Sequence, residues 1–142
     1  MGTVINQFQG EYRFLSNFWP CKIPYLEHLY PSVENAYQAA KCNSPEDRAQ
    51  FITISAGEAK RLGRRIQIKD DWDDIKLDVM EFLVTRKFLR YTSLMDKLKE
   101  TGSAEIVEGN YWGDSYWGVD LKTNSGRNEL GKILMRIRDM HA

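Results

Sequence analysis

A chain of 142 residues is long enough to bury a substantial core, and we expect one domain over residues 1–142. The 20 Lys and Arg residues balance the 20 Asp and Glu residues, so the zero net charge excludes a general attraction to the phosphate backbone of nucleic acid. The mean hydropathy of -0.53 and the lack of a long apolar run exclude a membrane span. Recognition of nucleic acid would therefore have to be local.

Cysteine and histidine are too scarce to predict a zinc site. The cysteines, Cys21 and Cys42, form no CxxC pair, and the histidines are His28 and His141. Free cysteines fit a reducing compartment, and no basic and then apolar leader begins the chain. We therefore expect a cytoplasmic protein with no metal and no cofactor. His28 lies in an apolar segment and is expected to be packed or at an edge.

The first thirty residues predict short strands around an aromatic segment. A strand is expected over residues 4–8, and the aromatic segment follows over residues 12–20. Three apolar side chains of that segment are expected to plug the core: Phe14, Leu15 and Phe18. Packing does not explain two polar residues, Ser16 and Asn17. Residues 22–30 predict an irregular strand that leads into the first helix.

The segment Pro31–Lys41 predicts a helix that carries chemistry. Glu34, Gln38 and Lys41 share one face at positions i, i+4 and i+7, and Lys41 leans back toward Glu34. A neighbouring face suits a core: Val33, Ala36, Tyr37 and Ala40. Two interpretations stay open, a solvated stripe whose ion pair contributes a few tenths of a kcal/mol, and an acid, an amide and an amine lining a cavity.

The rest of the chain is mainly helical by its start and stop signals. Expected helices cover residues 44–53, 55–63, 70–89, 92–101 and 128–140, and a strand covers residues 104–108. The longest helix is expected to bury Ile75, Val79, Met80 and Leu83, and the last to bury Leu130, Ile133, Leu134, Ile137 and Met140. Thr92 or Ser93 is the expected cap of its helix. Arg61, Arg64 and Arg65 form a small basic cluster that suits a solvated helix end or a phosphate contact.

An unusual loop, residues 109–119, holds four aromatics, three glycines and one acid, Asp114. One interpretation is a rigid aromatic plug that closes the core with one of its tryptophans, Trp112 or Trp117. The other is a platform that sandwiches a heterocyclic base while the carboxylate holds a sugar hydroxyl. Both interpretations stay open from the residues alone.

With these residues assembled, the chain resembles the NADAR family, also called YbiA-like, over nearly its whole length. The N-terminal half of the matching motifs comprises Phe14-Leu15-Ser16-Asn17-Phe18, Ser32-Val33-Glu34, Gln38, Lys41, Leu62-Gly63, Trp72, Met80 and Lys87-Phe88. The C-terminal half comprises Thr101-Gly102, Trp112-Gly113-Asp114, Trp117-Gly118, Gly126, Asn128, Leu130-Gly131, Leu134-Met135 and Arg138. Asn35 departs from the family, since many members carry His there.

The resemblance implies a single compact α+β domain, mainly α-helical, with about six helices and a few short strands. It implies an enzyme that hydrolyses N-glycosidic bonds, with ribosylamino-pyrimidine intermediates of riboflavin synthesis or ADP-ribosylated guanine as substrate classes. By position it assigns catalysis to Glu34, Lys41 and Asp114. The substrate contacts that it predicts are Asn17, Phe18, Ser32, Gln38, Trp72, Trp117 and Asn128.

The mechanism that follows is a hypothesis about a small-molecule N-ribosyl or ADP-ribosyl substrate. Neutral Lys41 attacks C1 of the opened sugar as a Schiff-base nucleophile, and Glu34 shuttles protons. Two alternatives accompany it. The first is a non-catalytic module that binds ADP-ribose or NAD through the loop. The second is action on ADP-ribosylated guanine in nucleic acid, which predicts basic residues such as Arg61, Arg64 and Arg65 beside the pocket.

Overall fold

Six α-helices and one 3-10 helix account for most of the regular structure within residues 3–142, the part of the chain that this computed structural model describes. The α-helices are α1 Val33–Ala39, α2 Pro45–Ala49, α3 Ala56–Leu62, α4 Trp72–Arg90, α5 Thr92–Glu100 and α6 Glu129–Met140, and the 3-10 helix is Gly10–Leu15. The strands are β1 Val4–Ile5, β2 Ile23–Tyr25, β3 His28–Tyr30, β4 Glu105–Ile106, β5 Gly109–Asn110 and β6 Val119–Asp120. The predicted fold class, α+β and mainly helical, is confirmed.

Serine side chains set the starts of three helices, as the sequence predicts. Ser32, Ser44 and Ser55 each accept a hydrogen bond from the backbone N–H three residues later. Ser55 also forms a reciprocal capping box with Glu58. These caps satisfy N–H groups that have no partner inside the helix. The local chemistry therefore determines where α1, α2 and α3 begin.

Two of the helix boundaries that differ from the predictions are the end of α2 and the start of α5. Helix α2 ends at Ala49 and not near Thr53. The N-cap of α5 is Tyr91, without a side-chain cap, so the prediction of Thr92 or Ser93 as the cap is wrong. Thr92 is already the first helical residue, because the chain leaves α4 at Arg90 and turns through one extended residue.

The region 22–30 is a hairpin and not the single irregular strand that we expect from the sequence. Strands β2 and β3 pair antiparallel, with Tyr25 opposite His28. The tight turn between them holds Leu26 at a φ of 51°. A leucine rarely adopts this left-handed conformation, so no turn signal was readable in the sequence.

The chain folds into two compact units, each with its own buried side chains. The first, called the central unit, is Asn17–Lys87. Inside it α1 packs against α2, α3 and both strands of the hairpin, and every residue from Val33 to Ala39 is buried. The predicted core face of α1 is confirmed: Val33, Ala36, Tyr37 and Ala40 are all buried. Phe18 is 43% exposed, so its predicted place in the core is wrong.

The second unit, called the terminal unit, joins the residues up to Ser16 to Phe88–Ala142. Strands β1 and β4 pair in parallel, as do β5 and β6, and α6 packs on β4 and α5. The strands predicted over 4–8 and 104–108 shorten to the two-residue pairs of β1 and β4. Both core predictions for Phe14 and Leu15 are confirmed.

Helices α4 and α6 bury most, but not all, of the expected residues. In α4 the predicted stripe is buried at Met80 and Leu83, whereas Ile75 and Val79 are only half-buried. In α6 the four buried members of the predicted stripe are Leu130, Ile133, Leu134 and Ile137. Met140 is 78% exposed, so its predicted burial is wrong because the core ends one turn earlier.

No helix within residues 3–142 is long and apolar enough to span a bilayer. The cytoplasmic location stays a prediction, as does a single domain over residues 1–142.

Candidate functional site

The polar side chains of α1 are enclosed by protein. Glu34 is 8% exposed and Gln38 is 5% exposed. The Gln38 side-chain amide donates a hydrogen bond of 2.6 Å from Nε2 to Glu34 Oε2. The interpretation of this face as a solvated stripe is therefore wrong for these two residues. A buried carboxylate that accepts a hydrogen bond is one component of acid–base chemistry.

Lys41 lies just beyond the helix and not within its last turn. Helix α1 ends at Ala39 with Ala40 as its C-cap, although the Lys41 N–H still donates to the Gln38 carbonyl at 3.2 Å. The Lys41 carbonyl accepts a hydrogen bond from the Lys69 N–H at 2.9 Å. The backbone of Lys41 is thereby anchored on both sides, which holds the half-buried side chain close to α1.

The environment of Lys41 favours its neutral amine. Burial lowers the pKa of the ammonium, and the charges of Lys76 and Arg64 lower it further, while the negative charge of Glu34 works in the opposite direction. Burial is the largest of these effects. A larger fraction of the side chain is therefore a free base at neutral pH than in an exposed lysine, which is what a nucleophilic amine requires.

Two aromatic rings line the same side of the central unit as Lys41. The Lys41 Nζ lies 5.6 Å from the centroid of the Tyr37 ring. The Tyr37 ring in turn lies 5.2 Å from Trp72, a buried residue at the first position of α4. The predicted Trp72 thus reaches the neighbourhood of Lys41 through Tyr37, a residue that the sequence analysis placed only in the core.

Asn17 and Ser32 hold the start of α1. The Asn17 carbonyl accepts the Glu34 N–H at 3.0 Å, and its side-chain amide donates to Met80 Sδ at 3.4 Å. Ser32 Oγ accepts the Asn35 N–H and donates to Asn35 Oδ1. Both residues therefore fix the backbone that carries Glu34. Their role as substrate contacts, and that of the exposed Phe18, stays a prediction.

In the terminal unit, Asp114 organises the loop 109–119. Asp114 Oδ1 accepts hydrogen bonds from the Tyr116 and Trp117 N–H groups at 3.0 and 2.9 Å. The buried Asn110 side chain accepts the Asp114 N–H and donates to the Asp114 carbonyl. The sequence analysis missed Asn110, whose position before an aromatic-glycine run is the only signal. The predicted fixed charge is thus held in place by backbone amides.

The loop does not plug the core with a tryptophan. Trp112 is 64% exposed, and Trp117 is half-buried with its ring 4.8 Å from that of Tyr116. The interpretation as a core-closing plug is therefore wrong, because the loop is braced by Asp114 and Asn110 and not by buried rings. The alternative, a binding platform, stays a prediction.

Asn128 is a structural anchor in the terminal unit. It adopts a φ of 54° at the start of α6, donates to the Ile106 carbonyl at 2.9 Å and accepts the Glu108 N–H at 2.9 Å. Both ends of its amide therefore serve the backbone. Its predicted contact with substrate stays a prediction.

Three buried polar residues of the central unit receive no structural role from the sequence alone. Asn35 donates to the carbonyls of Phe51 and Ile54, which explains why an amide suits this position. Lys87 is 1% exposed, and burial lowers its pKa to about 8. The third is Arg48, which forms an ion pair of 2.6 Å with Glu27. Only Lys87 had a readable signal, since it continues the apolar spacing of α4.

The basic cluster of Arg61, Arg64 and Arg65 lies on the surface of the central unit. The Arg61, Arg64 and Arg65 side chains are exposed, as a solvated helix end requires. Arg64 nevertheless lies close enough to act on the pKa of Lys41. Over residues 3–142 no three His, Cys, Asp or Glu side chains form a group that could hold a metal ion.

Known proteins resemble this chain throughout its length. A family model described as the NADAR domain matches residues 5–140. N-glycosidase Npun_R5314 of Nostoc punctiforme is 37% identical over an alignment of 134 positions that covers 90% of this chain and 85% of that protein. N-glycosidase YbiA of Escherichia coli is 31% identical over an alignment of 147 positions that covers 99% of this chain and 89% of that protein.

Two further matches bear on function and fold. Riboflavin biosynthesis protein VVA0006 of Vibrio vulnificus is 40% identical over an alignment of 129 positions that covers 89% of this chain, and this chain spans only 35% of that longer protein. The NMR structure of Escherichia coli YbiA superposes with a TM-score of 0.86 at 31% identity, covering 99% of this chain and 86% of that one.

Proposed function

The chain belongs to the NADAR family, and we propose that it hydrolyses the N-glycosidic bond of a ribosylated amine. The family and the enzyme class predicted from the sequence, a hydrolase of N-glycosyl compounds, are both confirmed by the named relatives. The substrate and the residues that act on it are the subject of the proposal. The observation that carries it is the enclosed carboxylate of Glu34 beside an amine, Lys41, whose pKa is lowered.

The chemistry suits an amine nucleophile. An N-ribosylamine opens to an imine between C1 and the substrate nitrogen, and the neutral Lys41 Nζ adds to C1. Glu34 passes a proton to the departing nitrogen, which leaves as a free amine while C1 remains bound to Lys41 as an imine. Water adds to C1 with Glu34 as the base, and Lys41 leaves as the amine. The net reaction consumes one water and yields the free amine and the sugar.

The proposed substrate is a ribosylamino-pyrimidine of riboflavin synthesis or an ADP-ribosylated guanine. The name of the Vibrio relative favours the first of these classes. Arg64, which acts on Lys41 together with Lys76, favours a substrate that carries phosphate in either class. The two classes differ in the size of the leaving base, so a direct comparison of turnover separates them.

Further roles rest on the family resemblance. Asp114 is proposed to hold ribose hydroxyls, and Trp117 is proposed to stack on the base or sugar. Trp72 is proposed as the alternative stacking ring, and its contact with Tyr37, whose ring lies beside Lys41, supports this place for it. The remaining proposed substrate contacts are Asn17, Phe18, Ser32, Gln38 and Asn128. The proposal treats each of these as secondary to Glu34 and Lys41.

A borohydride trap tests the proposal. The protein is incubated with a ribosylamino-pyrimidine, the released base is measured, and the mixture is reduced and mapped by mass spectrometry. We expect base release together with a ribosyl mass on Lys41, no adduct in Lys41→Gln, and an unchanged adduct in the control Lys69→Gln. More adduct is expected as pH rises, because neutral lysine is the reacting form.

Two other outcomes of this experiment would contradict part or all of the proposal. Base release without an adduct on Lys41 would remove the covalent step and leave hydrolysis by activated water. Tight binding of ADP-ribose without release of any base would favour the non-catalytic binding module.

A further inference from the structure

The side-chain amide of Gln38 occupies an unusual position in the central unit. Its Nε2 donates to Glu34 Oε2 at 2.6 Å, yet its Oε1 is buried and accepts no hydrogen bond from any group within residues 3–142. A buried carbonyl oxygen without a partner costs free energy and is rare in folded proteins. The amide cannot simply turn over, because its oxygen would then face the carboxylate oxygen of Glu34. Some other feature must hold Oε1 where it is.

That feature is Gly63, the C-cap of α3. A Cβ built on Gly63 would lie 1.9 Å from Gln38 Oε1 and 2.7 Å from Gln38 Cδ. The next neighbour is the Ala59 carbonyl oxygen at 3.3 Å. The Gly63 φ of -58° is one that any residue adopts, so the backbone itself does not require glycine here. Glycine is required because the Gln38 amide lies directly on its Cα.

We propose that Gly63 and Gln38 are positioning residues that set the place of the Glu34 carboxylate, an inference that rests on the proposed function. The Gln38 amide is held between Glu34 on one side and the bare Cα of Gly63 on the other. Any side chain at position 63 pushes the amide toward Glu34 or away from it. Proton transfer depends steeply on the distance to the reacting atom, so a small displacement lowers the rate.

The same geometry bears on the Gln38 oxygen that has no hydrogen-bond donor. The Gly63 backbone lies against Oε1 and closes this side of the oxygen to a donor. The same orientation of the Gln38 amide that lets Nε2 donate to Glu34 leaves Oε1 without a donor, at a cost in free energy. Local strain or unsatisfied groups of this kind are typical of sites where position matters more than stability.

A double-mutant cycle tests the inference with three variants: Gly63→Ala, Gln38→Ala and the pair together. We expect Gly63→Ala to lower kcat about tenfold or more on a ribosylamino-pyrimidine, with a much smaller change in KM. In the Gln38→Ala background the same change at position 63 should have no further effect, because the atoms that it displaces are gone. The matched control is Gly57→Ala, also in α3, where a Cβ meets only Arg61 Nη1 at 3.7 Å.

A spectroscopic measurement reads the contact without any activity. The Gln38 side-chain NH₂ signals in a ¹⁵N–¹H spectrum should shift in Gly63→Ala and in Glu34→Gln, and should not move in Gly57→Ala. If Gly63→Ala does not fold whereas the double variant does, the collision with Gln38 is supported, and kcat of Gln38→Ala then decides the positioning role.

Two results would overturn the inference while the proposed function stands. One is wild-type kcat in Gly63→Ala. The other is a loss in the double variant equal to the product of the two single losses, which would mean that Gly63 does not act through Gln38. Absence of turnover in the wild-type protein would instead defeat the proposed function, and unmoved Gln38 signals in Gly63→Ala would then also defeat the inference.

Discussion

Helix α1 and the loop 109–119 each reverse the usual distribution of side chains, in opposite ways. The helix buries an acid and two amides, Glu34, Asn35 and Gln38. The loop exposes Trp112 and its neighbour Tyr111. Folded proteins usually bury apolar side chains and expose polar ones. Buried polar groups and exposed large aromatic side chains are therefore the informative exceptions. Both regions therefore stand out as candidates for function.

The comparison also shows how each exception is supported. In α1 the polar groups bind one another and the backbone, as in the bond from Gln38 to Glu34 and the bonds from Asn35 to Phe51 and Ile54. In the loop the backbone is braced by Asp114, while Tyr111 and Trp112 remain exposed. Function in α1 would thus depend on burial, whereas function in the loop would depend on exposure.

Removing the acid from α1 should have the largest effect. Glu34→Gln keeps the size of the side chain but cannot exchange protons, so we expect kcat to fall about 10²- to 10⁴-fold. The measurement is release of free base from a ribosylamino-pyrimidine. Glu46→Gln, an exposed acid of α2, should keep wild-type turnover. Full turnover in Glu34→Gln would refute the acid–base role and leave α1 a structural helix.

The burial of charge in the central unit should appear as a pH dependence of stability. Burial lowers the pKa of Lys87 to about 8 from an ordinary value of 10.5, and nearby Cys21 acts in the opposite direction. Between these values the unfolded chain binds more protons than the folded one, so this group makes the free energy of unfolding rise with pH.

In Lys87→Met the contribution of this lysine to the rise of the free energy of unfolding with pH is lost. From pH 7.5 to 9.5, the stability of the wild type should increase by about 2 kcal/mol relative to Lys87→Met, as measured by urea unfolding. Lys132→Met, an exposed lysine on α6, should keep the wild-type trend. Parallel curves for the wild type and Lys87→Met would show that Lys87 stays protonated in the fold across this range.

The bracing of the loop should be separable from its charge. Asp114→Ala deletes the acceptor of two backbone N–H groups and should cost about 1 kcal/mol of stability, as loss of a helix cap does. Asp114→Asn keeps an acceptor oxygen and should recover most of that stability. If its turnover nevertheless stays low, the charge of Asp114 acts on substrate. If Asp114→Asn matches the wild type in both, the residue only braces the loop.

Removal of the exposed Trp112 ring should change the free energy of unfolding less than any of the substitutions above. Trp112→Ala is expected to alter the free energy of unfolding by no more than about 0.5 kcal/mol, because the side chain is mostly in solvent. If the loop is a binding platform, KM for the substrate should rise while the melting temperature holds. A clear fall in melting temperature would show that the ring packs, and the contrast with α1 would fail.

Local chemistry was enough to predict much of the fold. Serine caps placed the starts of α1, α2 and α3, and apolar spacing placed most of the core of α6. The turn at Leu26 was not predictable, because a leucine at positive φ is held there by the pairing of β2 with β3. The ordered motifs also predict the family and its enzyme class, which the named relatives confirm.

For the candidate site, residue types and spacing identified an acid, an amide and an amine on one segment but left two environments open. The choice between them depended on residues distant in sequence. Gly63 lies against the Gln38 amide, and the carbonyls of Phe51 and Ile54 accept from Asn35. Burial is a property of everything packed around a side chain, so no pattern within α1 could reveal whether Glu34 faces water or protein.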